Sequence, residues 1–142
     1  LSFKGRYREA PENSPTGLRF GLINPADPDA SIYAHAGTGG GTGFGLSFDT
    51  AGDKSPGTAN KESLESTHSG SAFKSLDATA FDASFSIKRV TDSEYEVSVT
   101  VGEATRTATT DKGFNNIQSF FIRNGGIKAD FLVDSVTVSK IP

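Results

Sequence analysis

The sequence predicts an all-β chain folded as a two-sheet antiparallel β-sandwich, and three observations carry that prediction. Apolar and polar residues alternate at period two along most of the chain. Clusters of Gly, Pro, Asn, Asp and Ser interrupt the alternation at short intervals, as turns require. Only residues 61–65 carry any helical signal, and that for a single turn.

At the N-terminus Leu1, Phe3 and Tyr7 alternate with Ser2, Lys4, Arg6 and Arg8. After a Pro-rich turn from Pro11 to Thr16, Leu18, Phe20 and Leu22 repeat the pattern with Arg19 on the other side. Ile32, Ala34 and Ala36 then oppose Tyr33 and His35, and Phe44, Leu46 and Phe48 follow a glycine-rich loop. Residues 49–80 are polar and weakly patterned, either a functional loop or one with short strands inside it.

The second half alternates most cleanly. Phe81, Ala83, Phe85 and Ile87 form a hairpin with Tyr95, Val97, Val99 and Val101 across a turn at Thr91-Asp92-Ser93. Gly102-Glu103 turns the chain into residues 104–109, which completes a three-stranded meander. One side of each strand is rich in Ser, Thr and charge, the pattern of a sheet with one wet face. Residues 114–123 are a further strand, Asn124-Gly125-Gly126 a turn, and residues 129–140 the closing strand. In that strand Phe131 and Val133 share one parity while Val136 and Val138 share the other. A bulge near Asp134-Ser135 would return all four to the core. Roughly eight to ten short strands at this spacing favour a jelly-roll type of sandwich. No linker or repeat divides residues 1–142, so one domain is expected.

With 142 residues, a chain of this length can bury roughly 70% of its unfolded surface without a metal or disulfide staple. Eleven phenylalanines supply the material for a core. There is no cysteine, which excludes thiol catalysis and cysteine-bound zinc. The net charge of −3 and the absence of any basic run longer than Lys88-Arg89 argue against nucleic acid. No apolar stretch is long enough for a helical membrane span. The sequence holds no methionine and starts at Leu1, so it reads as a module excised or processed from a longer exported protein.

Several groups of residues are candidates for chemistry. Tyr33 and His35 share one side of a short strand, offering an aromatic face for sugar C–H groups and a directional hydrogen bond. Six glycines follow within residues 37–45, and Gly39, Gly40 and Gly41 could bring backbone donors close to a ligand. The run lacks the lysine and spacing of a phosphate-binding loop. Arg19 and Arg123, with Asn124, could meet the carboxylate or sulfate of an acidic glycan. Asp49 and Asp53, like Asp27 and Asp29, gather hard oxygens that suit calcium. Each group also has a plain reading: a solvated sheet face, a mobile loop, solvated strand ends, turn-forming aspartates. For catalysis, Glu94 and Glu96 could approximate the carboxylate pair of a glycosidase, and Tyr33 with His35 the acid and base of a lyase. No catalytic residue is assigned.

The segment Ala129-Asp130-Phe131-Leu132-Val133-Asp134-Ser135-Val136-Thr137-Val138 resembles the closing strand of secreted bacterial jelly-roll modules. Gly17-Leu18-Arg19-Phe20-Gly21-Leu22 and Phe120-Phe121-Ile122-Arg123-Asn124-Gly125 share the likeness. The group includes carbohydrate-binding modules and the concanavalin A-like lectins and glucanases. The resemblance implies a non-catalytic, extracellular or cell-surface module that binds polysaccharide. It also implies a structural calcium with Asp134 among its ligands and Asp130 beside it. The chain has no tryptophan, so polar contacts are expected to matter more than ring stacking. The competing expectation is a structural or adhesive module that self-associates through an edge strand, such as an exposed N-terminal strand. A polysaccharide lyase or glycosidase comes third.

Overall fold

The computed structural model describes residues 1–24, 27–49, 61–64, 66–111 and 119–141. Every regular element among them is a strand: β1 (Ser2–Tyr7), β2 (Ser14–Asn24), β3 (Asp27–Thr38), β4 (Phe44–Asp49), β5 (Lys61–Ser63), β6 (Thr67–Gly70), β7 (Phe81–Arg89), β8 (Tyr95–Val101), β9 (Ala104–Thr110), β10 (Ser119–Asn124) and β11 (Phe131–Thr137). One sheet runs β11-β1-β7-β8-β9-β6 and the other β10-β2-β3-β4-β5, with antiparallel neighbours throughout. The expected sandwich is present.

Period-two burial builds the core. On β1, Phe3 and Tyr7 are buried and Ser2, Lys4 and Arg6 are exposed. On β8 the buried set is Val97, Val99 and Val101. The facing sheet contributes Leu18, Phe20, Ile32, Ala34, Ala36, Phe44, Leu46 and Phe48. Phe3 on one sheet meets Phe20 on the other edge-to-face, with ring centroids 5.0 Å apart. Phe131 packs the same way against Tyr7 at 5.1 Å. Such pairs add about 0.5–1.5 kcal/mol each beyond the area they bury. The Phe3–Phe20 contact sets β1 over β2, whose neighbours β11 and β10 are the sheet edges nearest to it.

The predicted meander β7–β8–β9 forms, with its turns at Thr91–Ser93 and Gly102-Glu103. Three expectations change. Residues 61–63 form β5 instead of a helical turn, because their backbone pairs with β4. The N-terminal strand is not an edge, since β1 sits between β11 and β7. The bulge occurs: Lys4 pairs with Ser135 and Gly5 with Val133, which leaves Asp134 as the extra residue. It brings Val133 and Val136 to one side, yet each stays 42% exposed.

Candidate functional site

The five-stranded sheet turns Leu18, Phe20, Ile32, Ala34, Ala36 and Leu46 inward, so the residues between them face away from the core. Register then assembles the outer face in rows. Arg123 pairs with Arg19, Arg19 with His35, and His35 with Gly45. The next row runs Phe121, Gly21, Tyr33, Ser47 and Ser63. Four of the predicted ligand residues, from three separate segments, therefore share one face: Arg19, Tyr33, His35 and Arg123.

This face is not an ordinary wet one. Tyr33 is 1% exposed, Ser47 1% and Ser31 3%. The Tyr33 ring lies 6.3 Å from that of Phe121, at a tilt of 56°. Tyr33 was expected to offer its ring to a sugar; buried as it is, it underlies the face instead of presenting to solvent. Two gaps in side-chain cover shape the surroundings. A Cβ at Gly21 would collide with the Tyr33 backbone and Cβ, and one at Gly45 would lie 3.0–3.2 Å from the His35 imidazole. Glycine at position 45 is what lets that ring settle onto its neighbouring strand.

Electrostatically the row is cationic. Directly opposed like charges disfavour pairing between strands unless other groups offset them. The Arg19 guanidinium donates to Thr16 Oγ1 at 3.1 Å. Burial draws its pKa below the ordinary arginine value; the Tyr33 hydroxyl opposes this shift and the Arg123 charge adds to it. A desolvated guanidinium in a forked geometry suits the planar recognition of a carboxylate or sulfate.

The other predicted residues have structural duties. The Asn124 amide donates to the carbonyls of Ile127 at 3.2 Å and Ala129 at 2.9 Å, and its oxygen accepts from the Tyr7 hydroxyl at 3.2 Å. Asn124 thus ties the turn after β10 to the core, and the same burial pushes the Tyr7 pKa up to about 12. The glycine run is likewise committed to the protein. The Gly39 N–H donates to Leu76 O at 2.9 Å, Gly40 N–H to Ser75 Oγ at 2.8 Å, and Gly41 N–H to Thr38 O at 2.9 Å. Gly39 has a φ of 59°, and a Cβ there would strike the Pro11 carbonyl. The glycines let the β3–β4 connection pack against residues 11–15, a sufficient reason for them without a ligand.

Of the four predicted calcium ligands, Asp130 and Asp134 have described side chains. Asp130 faces Arg8 at 3.3 Å, both side chains being exposed, while Asp134 projects from the bulge into solvent. Asp49 ends β4, opposite Ser31 and Lys61, and Asp53 lies outside the described residues. Among the described residues no three His, Asp or Glu side chains are grouped to hold a metal.

A separate cleft of about 290 Å³ opens beside the β8–β9 turn, lined in part by Lys74, Leu76, Asp77, Phe81 and Glu103. Its best-placed acid is already used: Asp77 accepts from the Thr79 N–H at 2.6 Å, which lowers its pKa.

Phe121, Ser31 and Ser47 belong to the arginine face and were not singled out from sequence. Phe121 was reachable, since it shares parity with Arg123. The serines looked like ordinary wet-face residues, and only their burial distinguishes them. No protein-family model matches this chain, and neither a curated protein nor a solved structure shows significant similarity to it.

Proposed function

We propose that this protein is a non-catalytic carbohydrate-binding module of an exported protein, and that the outer face of its five-stranded sheet takes an acidic polysaccharide. The observation that carries the reading is the cross-strand alignment of Arg123, Arg19 and His35, backed by Tyr33 and Phe121 in the next row. Arginine forks match the carboxylates of uronic acids and the sulfates of sulfated sugars. Phe121 is the half-exposed aromatic of the face, available for the apolar side of a pyranose ring. The overall charge of −3 would repel a polyanion in general, so attraction must be local to this face.

Affinity electrophoresis through gels containing polyuronate, sulfated or neutral polysaccharide tests the proposal. Retardation by the acidic polymers, weakened by Arg123→Gln, is expected. Equal mobility in every gel would refute it. An arm with EDTA reports whether any bound metal supports the interaction.

A further inference from the structure

The edges of the two sheets are not alike. β5 has three residues and β6 four, and short edge strands are a common defence against strand addition. β11, at the end of the six-stranded sheet, has seven. Through the Asp134 bulge its Phe131, Val133 and Val136 share the side of their partners Tyr7, Gly5 and Phe3. Phe131 is partly buried against the core. Val133 and Val136 stay exposed, as do Val138 just beyond the strand and Phe120 on the flanking edge β10.

We propose that β11 is a pairing surface for a second copy of this chain, the two strands running antiparallel about a two-fold axis between Asp134 and Ser135. In that register Val133 of one copy faces Val136 of the other, Phe131 faces Val138, and Asp134 faces Ser135. Those apolar residues then meet each other on one side of a continued sheet, while Leu132 faces Thr137 on the other. A slip by one residue would set Val133 against Ser135 or Thr137 and lose the match. The interface is isologous, so it closes at two copies. This self-complementarity selects a second copy as the occupant: it supplies both a backbone partner for the strand that ends the sheet among the described residues and the apolar complement. Asp134 has a defined part in it. Its two copies flank the axis, and their repulsion keeps the pairing weak and concentration-dependent. The inference is independent of the polysaccharide reading, which concerns the other sheet.

Sedimentation velocity on the 142-residue chain, from micromolar to millimolar concentration, tests it. A concentration-dependent dimer is expected, tightened several-fold by Asp134→Asn and abolished by Val136→Lys. Val136 is already exposed, so that variant should fold; Val133→Lys is the second probe, with circular dichroism as the check. Thr67→Lys on the opposite edge should change nothing. A monomer at all concentrations in both the parent chain and Asp134→Asn overturns the proposal, as does a dimer indifferent to both lysine variants.

Discussion

The two sheets of this sandwich share a core but treat their outer faces differently. On the six-stranded sheet that face carries small hydroxyls paired across strands: Ser98 with Thr107 at 3.4 Å and Thr100 with Thr105 at 3.0 Å. Exposed Lys4, Lys88 and Glu96 surround them, which is all a solvated face requires. On the five-stranded sheet the equivalent face holds a buried tyrosine, two buried serines and two arginines in register. Such a face is costly to fold. A guanidinium is partly desolvated, and among the described residues the Ser31 hydroxyl is buried with no hydrogen-bond partner. That difference in composition and burial is what the proposed polysaccharide site rests on.

The contrast can be broken or sharpened by mutation, beginning with the largest effect. Tyr33→Ala should cost on the order of 3 kcal/mol in denaturant unfolding, because it empties a buried position. A cost below about 1 kcal/mol would mean that Tyr33 is as lightly held as a wet-face residue. Second in size is an alkaline loss of stability. Tyr7 is neutral in the folded state until about pH 12, whereas in the unfolded chain it ionises near 10. Its contribution is complete below pH 10 and is lost as pH rises between those values. Tyr7→Phe should flatten that loss in thermal melts recorded from pH 9 to pH 12. Third, Arg123→Gln should weaken binding of an acidic glycan by about tenfold, the scale of one charge-assisted hydrogen bond. Arg6→Gln, on the outer face of the other sheet, should leave binding unchanged. The smallest effect is Thr100→Ala, expected to stay within about 0.5 kcal/mol in the same unfolding assay.

Much of the fold was legible from sequence, for a physical reason. Strand side chains alternate strictly, so Phe81 to Val101 declared a hairpin and the parity switch after Val133 declared a bulge. Residues 61–63 were not legible because three residues are too few to show a period; their strand exists only through pairing with β4. At the candidate site, orientation was legible and accessibility was not. The sequence shows that Tyr33, His35 and Arg19 point away from the apolar residues, but outward-facing and solvent-exposed are different properties. The glycine run shows the same limit. Backbone approach to a ligand was the expectation, and the structure shows the glycines close to the protein's own segment 11–15.

The most direct test of the central claim is retention on dextran sulfate compared with dextran, polymers that differ in their sulfates and share a sugar backbone. The account expects retention by the sulfated polymer alone, falling steeply with added salt, reduced by Arg19→Gln or Arg123→Gln and unaffected by Arg6→Gln. Equal behaviour on both polymers, or retention that Arg6→Gln weakens as much as Arg123→Gln does, would contradict it.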